Sequence, residues 1–351
     1  MDEYIAFDSH KRYTWVEQEE VATGKVKQYR VNHGPGAIRQ TLLGCAPGTP
    51  VAIEATANWY WIIDEIEQAQ MEPRLVHPRK AKLMLGQINK TDKLDAKGMN
   101  RLQRTGTLPT VWIPPGPLRE LRELTRTRLV LAAQRTRWKN RITATLAKWG
   151  LPPSERSDAY GKRGRGELEA KLERLPEQTR WTTRQMLAQL DALQTQIGEF
   201  EKRLEELVKE TPEMQRLKTL PGVGVILAAT IALEIGDIGR FLSAERLASY
   251  AGTTPRVHAS GDRVRYGRTR PDVNRYLKWA FAEAANSVAL NYKRCAEQHV
   301  SALYARLRQR KGHAKAVGAV ARHLAEAAFH VLSRQQEYRD PAAVVGRTSE
   351  V

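Results

Sequence analysis

Apolar and polar residues change rhythm twice along this chain, from short alternating runs to long helical stretches and then to a mostly helical tail. In the first third, Tyr4 to Asp8 is a short apolar run closed by an acid, and Tyr13 to Val16 and Val26 to Val31 follow with turn residues between them. Short runs punctuated this way predict a three-strand antiparallel meander. Pro35 to Leu43 reads as helical, Pro50 to Glu54 as a strand, Trp59 to Gln70 as a helix and Arg74 to Val76 as a strand; a helix starts near Arg79 and another opens at Asp92.

From Pro117 to Trp149 the pattern predicts one long helix, ended by Gly150 and the Pro152, Pro153 pair. Ser154 to Gly166, with Lys162, Arg163, Arg165 and three glycines, reads as a flexible basic linker. Met186, Leu190, Leu193, Ile197, Phe200, Leu204 and Leu207 then recur at alternating steps of four and three, a three-heptad seam. Such a seam joins protomers, closes an internal hairpin with the Pro117 to Trp149 helix, or does both, since a long hairpin can also dimerise, and the spacing does not choose. In the last third, Leu220-Pro-Gly-Val-Gly224 precedes an apolar helix, Thr253 to Pro271 reads as irregular, and helices are expected near Asp272 to Leu290 and Ala314 to Leu332. The glycine phrase is similar to the hairpin of helix-hairpin-helix modules, in which the backbone at Gly222 and Gly224 would receive a nucleic-acid phosphate.

The expected class is therefore α/β followed by all-α. Three parts are expected: residues 1–115, 116–216 as a coiled-coil middle, and a helical 217–351. The element order of the first part, three strands and then alternating helices and strands, is that of a ribonuclease-H-like domain.

Charge narrows the partner. Lys and Arg number 57 against 39 Asp and Glu, a formal net charge of +18, and the excess climbs from +2 over 1–115 through +6 over 116–216 to +10 over 217–351. That footprint suits a polyanion, nucleic acid first, while acids gathered in the least basic third suggest a cation site. Cys45 and Cys295 have no metal-ligand spacing, so neither a zinc site nor a disulfide framework is expected, and a reducing cytoplasm fits. The longest apolar run, Val223 to Leu233, is far short of a membrane span, so no membrane partner is expected.

Four acids stand out. Asp8 closes the first strand and Glu54 the fourth, and Asp92 and Asp95 lie one helical turn apart at a helix start. In a ribonuclease-H-like sheet the first and fourth strands are neighbours, so these side chains could share a pocket for Mg²⁺ or Mn²⁺, hard ions that take oxygen ligands and assist phosphoryl transfer. Taken singly, each has a plainer reading: Asp92 and Asp95 as a helix start, Asp8 as a turn former, Glu54 as a surface acid.

Three phrases, Phe7-Asp8-Ser9-His10-Lys11, Ile53-Glu54-Ala55-Thr56 and Lys90-Thr91-Asp92-Lys93-Leu94-Asp95-Ala96, resemble the acidic motifs of the DEDD transposases, insertion-sequence family 110. The resemblance continues through Lys139-Asn-Arg141, Leu220 to Gly224, Leu247 to Gly252, Ser260-Gly261 and Asn274 to Leu277, and so covers nearly the whole chain. It implies a RuvC-like N-terminal domain, a coiled-coil middle and a C-terminal transposase domain with a nucleophilic serine, here Ser260. It further implies donor and target DNA as substrates and an element-encoded guide called a bridge RNA; a homo-oligomer (dimer or tetramer) is expected because recombining two DNA sites needs more than one active site. Arg256, Arg263, Arg265, Arg268 and Arg270 surround Ser260 and could clamp a phosphate, and Tyr266 is a rival nucleophile. Two other functions remain open: a RuvC-like nuclease or junction resolvase using water, and a non-catalytic architectural protein.

Overall fold

The computed structural model describes residues 3–86, 91–151, 159–261 and 263–341. The chain divides into two compact units, Met1–Gly116 and Pro117–Val351.

The first unit is built on strands β1 (Glu3–Ser9), β2 (Tyr13–Glu20), β3 (Val26–Asn32), β4 (Pro50–Glu54) and β5 (Glu72–Val76). They form one sheet in the order β3-β2-β1-β4-β5, with β1, β2 and β3 antiparallel and β1, β4 and β5 parallel. The meander over the first three strands is as expected, and the first and fourth strands are neighbours. Alternation of side chains across a strand separates two apolar layers. Ile5, Phe7, Val16, Val51 and Ile53 face helices α1 (Ala37–Leu42) and α2 (Trp59–Gln68) through Ile38, Leu42, Ile62, Ile63 and Ile66. On the opposite face the small Ala6 and Ala52, with Val76, meet Ala81 of α3 (Pro78–Leu85) and Ala96, Met99 and Leu102 of α4 (Asp92–Arg104). Small strand residues let α4 sit close to the sheet, and two amides lock it there: Asn100 Nδ2 donates to the Glu17 carbonyl at 3.1 Å and Gln103 Nε2 to the Ile5 carbonyl at 2.7 Å.

The second unit opens with the predicted long helix, α5 (Gly116–Lys148). Helix α6 (Lys162–Leu172) occupies part of the stretch expected to be a flexible linker, which corrects that expectation for residues 162–166; residues 154–158 lie outside the described ones. The physical reason is that Leu168 and Leu172 insert, with Leu175, into a core with Ile142 and Leu146, so packing overrides the local glycine content. The heptad positions fall in α7 (Glu177–Glu210). Leu190 joins the core of Ile142 and Leu146, Leu204 joins Ala229 and Leu233 beside Leu118, Leu121 and Leu124, and Arg135 donates to Gln194 at 3.0 Å between them. α7 thus runs antiparallel to α5, and its seam is filled from within the chain.

The rest of the unit comprises α8 (Pro212–Leu217), α9 (Val225–Ile235), a 3₁₀ turn at Ile238–Arg240, α10 (Ala244–Tyr250), α11 (Arg275–Asn291), α12 (His299–Lys311) and α13 (His313–Ser333), gathered around Ile231, Phe281, Val320 and Leu324. The stretch expected to be irregular instead contains a two-stranded hairpin, β6 (Pro255–Ser260) and β7 (Arg263–Thr269). Its alternating Val257, Ala259, Val264 and Tyr266 follow strand periodicity, a signal masked in the sequence by interleaved arginines. No described helix is long and apolar enough to cross a membrane.

Candidate active site

Strand periodicity decides where the first two acids lie. Asp8 is two residues beyond Ala6 and Glu54 two beyond Ala52, so both are on the α4 side of the sheet. The parallel pairing of Ala6 with Ala52 and Phe7 with Ile53 brings Glu54 level with Asp8. Thr91 begins α4, its hydroxyl accepting from the Leu94 amide at 3.3 Å, and so sets Asp92 and Asp95 in the first turn.

Asp8, His10 and Asp92 each present a ligand atom within 4.8 Å of the others. His10 Nε2 stands 3.3 Å from Asp8 Oδ2 and 3.2 Å from Asp92 Oδ2. The Tyr13 hydroxyl donates to Asp92 Oδ2 at 2.9 Å, and that bond, more than any other influence, raises the phenol's pKa. Burial pushes the Asp8 carboxyl above the ordinary carboxylate range; His10 opposes the shift, and Asp95 and Asp92 reinforce it. Asp95 therefore shares the electrostatics of the cluster, although neither it nor Glu54 is among the three groups within 4.8 Å.

The loops carrying these groups are stitched together. Asn58 Nδ2 donates to the His10 carbonyl at 2.8 Å and to Ser9 Oγ at 3.1 Å, while the Thr56 hydroxyl donates to Asn58 Oδ1 at 3.0 Å. The segment after β4 thus braces the segment after β1. Beneath it, His33 Nε2 lies 2.8 Å from the buried Thr14 hydroxyl, and burial lowers the His33 pKa.

In the second unit Ser260 ends β6, paired with Arg263 at the tip of the exposed hairpin. The register pairs His258 with Arg265 and Val257 with Tyr266. Alternation therefore places Ser260, His258, Arg263 and Arg265 on one face, and Tyr266, Val257 and Val264 on the other; the register shifts between Val257 and Pro255, so alternation does not carry on to Arg268. Arg256 lies on the serine side, since a Cβ on Gly267 would meet the His258 ring at 3.6 Å and Arg256 Cβ at 3.8 Å. Arg270 lies beyond β7 and is held by Asp272, whose Oδ2 accepts at 2.7 Å. The five arginines thus do not form one cluster: three share the serine's face, and one is tied to an acid.

A DEDD transposase model of the IS110 type matches residues 6–149, the stretch that carries all four acids, and a second, described as the transposase IS116/IS110/IS902 family, matches residues 214–301. The chain belongs to the IS110 family of transposases. Among its relatives is a probable family 20 transposase of Pseudomonas aeruginosa, 26% identical over 308 residues, which covers 84% of this chain and 86% of the relative. A transposase for insertion sequence element IS1111A of Coxiella burnetii is 25% identical over 278 residues, 76% of this chain and 72% of the relative. The transposase for insertion sequence element IS1328 of Yersinia enterocolitica is 27% identical over 224 residues, 64% and 66% of the two chains.

Membership of this family implies DNA as substrate, and the donor set of the transposase fits a divalent cation. Two carboxylates in reach of each other, a third close enough to feel, and a buried Asp8 whose ionisation is opposed make a place where positive charge is needed. His10 and Tyr13 escaped the sequence reading as site residues. The only signal for His10 was its position two residues past a strand-ending acid, which no periodicity marks. At the glycine phrase, Gly222 has a structural reason of its own: φ is +77° and a Cβ there would lie 2.3 Å from the Ala284 carbonyl oxygen of α11. Gly224, by contrast, faces open space.

Proposed function

We propose that this transposase is a site-specific DNA recombinase of an insertion sequence, with Asp8, Glu54, Asp92 and Asp95 as the metal-holding acids of a ribonuclease-H-like, RuvC-like domain spanning roughly residues 1–115. The observation that carries the reading is the convergence of Asp8 and Asp92, with His10, at the ends of β1 and α4. The strand order supports the fold assignment: β1 lies between β2 and β4, the arrangement that lets acids from the first and fourth strands share one edge. Mg²⁺ or Mn²⁺ would supply Lewis-acid stabilisation of phosphoryl oxygens. The protein's own part is to hold Asp8 in a buried setting, to orient Asp92 through the Tyr13 hydroxyl, and to brace the His10 turn through Asn58.

Ser260 is proposed as the nucleophile. Its Oγ would bond to phosphorus while the bond from phosphorus to the 3′ oxygen breaks; the hydroxyl proton goes to a base in solvent, the departing 3′ oxygen takes a proton from solvent to leave as a hydroxyl, and the phosphodiester linkage is conserved on the serine for rejoining. Arg256, Arg263 and Arg265, on the same hairpin face, suit a clamp on the phosphate, whereas Tyr266 faces the other way. An RNA guide encoded by the same element, pairing with donor and target, and an oligomer with more than one active site complete the proposal; the basic second unit suits the former. Because the heptad seam is filled within the chain, the oligomer is not assigned to it.

The test is a denaturing gel with labelled DNA. Wild-type protein traps a covalent adduct, Ser260→Ala traps none, and Tyr266→Phe still does. An adduct that survives Ser260→Ala but disappears in Tyr266→Phe would move the nucleophile to tyrosine; cleavage with no adduct in any variant would make the protein a water-using nuclease.

A further inference from the structure

Helix α3 carries apolar residues on its outward face as well as on the face it packs against the sheet. Ala81 and Leu85 face the sheet and pack in the apolar layer with Ala6, Ala52 and Met99. On the outward side Leu83 is 74% and Met84 50% exposed. At 3.6 residues per turn Leu83 lies opposite the Ala81 and Leu85 face, with Arg79 and Lys80 beside it one turn earlier and with Lys82 and Met84 on the flanks. No acid occurs between Pro78 and Leu85, and Arg79, Lys80 and Lys82 are all exposed.

The place matters as much as the pattern. β5 pairs Val76 with Glu54, and α3 starts two residues later, so this outward face begins at the rim of the acid site, on the side of the sheet to which Asp8 belongs. A phosphodiester approaching clustered carboxylates is repelled unless cations next to them bind the flanking phosphates. Helix α3 has three such cations and, among them, two apolar side chains left exposed to water.

We propose that the outward face of α3 docks substrate duplex DNA beside the cleavage site, Arg79, Lys80 and Lys82 taking backbone phosphates while Leu83, flanked by Met84, presses against sugars and base edges in the groove. The proposal rests on the acid site being where DNA is cut. Uniform positive charge around the apolar pair favours DNA over a second copy of the chain, since protein interfaces are depleted of charge at their centres.

The experiment uses the full-length protein and a labelled duplex carrying an end of the insertion sequence that encodes it. A benzophenone-bearing amino acid in place of Leu83 is expected to crosslink to the duplex, whereas the same group in place of Leu43, which is 71% exposed in the segment after α1 on the opposite side of the sheet, does not. Changing Arg79, Lys80 and Lys82 together to Gln should flatten the slope of log affinity against log salt by about 2.7, or ~0.9 for each phosphate no longer neutralised. Crosslinking to a second copy, or only to RNA carried with the protein, overturns the proposal, as does an unchanged salt slope. Both readouts report binding, not cleavage, so failure of the acid-site reading would appear separately, as undiminished cutting by Asp8→Asn.

Discussion

Asp8 carries a cost that the rest of its unit accepts. Its ionised form is opposed by burial and by two neighbouring acids, only partly offset by His10. A carboxyl with a raised folded pKa gives stability that is present below its unfolded pKa and is lost as the pH rises through the folded value. At neutral pH, without metal, the site is therefore under electrostatic load, and Asp8→Asn should raise the melting temperature of metal-free protein. A divalent ion should relieve the load in the wild type, adding about 2.7 kcal/mol at a hundredfold excess over its dissociation constant, and should do little for Asp8→Asn. Calorimetric scans with and without Mn²⁺ check both; equal metal shifts in the two proteins would place the ion elsewhere. At this scale the sequence was partly legible. Asp8, Glu54 and Asp92 sit at element ends that hydrophobic runs mark, while His10, Tyr13 and Asn58 act through side-chain contacts between elements, with Tyr13 and Asp92 79 residues apart in sequence.

Among the elements, α5 and α9 are joined by charge as well as by apolar packing. Glu234 of α9 is fully buried; its carboxylate accepts from Arg126 of α5 at 2.6 and 2.9 Å and from Asn274 Nδ2 at 2.8 Å. Asn274 Oδ1 in turn accepts from the Tyr276 and Leu277 amides at the start of α11, both at 3.0 Å. Arg122, also buried, donates to the Leu233 carbonyl at 2.7 Å and the Glu234 carbonyl at 3.0 Å. Removing one partner from such an arrangement strands the others, so Glu234→Ala should cost about 3–5 kcal/mol in denaturant unfolding. A loss under ~1 kcal/mol would mean that the arginines reach water instead. This joint was invisible in the sequence, where Glu234 ends an apolar run and reads as a helix-terminal acid. The long helices were legible because their periodicity is strong, and the seam was legible as a seam. Its partner was not, since heptad spacing is satisfied equally by another chain and by α5. The β6–β7 hairpin was missed because glycine and arginine density hid a two-residue alternation.

For the whole molecule, the net charge of +18 and the acid cluster predict that binding and cutting are separable. Non-specific duplex affinity should fall steeply and linearly on a log scale with salt, and Asp8→Asn should keep the wild-type slope, because phosphates are held by lysines and arginines and not by the acids. A changed slope in that variant would show that the acid site contributes to DNA affinity directly. The α/β and all-α division was readable from run lengths and the order of strands and helices, and the polyanion partner from charge. The close approach of Asp8 and Asp92 was not, because it depends on how Asn100 and Gln103 seat α4 on the sheet. The most direct test of the acid site as the cutting centre is strand cleavage of a labelled duplex from the element's own end, with Mg²⁺ or EDTA, by wild-type protein and by Asp8→Asn. Cutting is expected only by wild type and only with the metal, at DNA occupancies matched between the two proteins; full cleavage by Asp8→Asn, or by wild type in EDTA, would contradict a metal-dependent role for these acids.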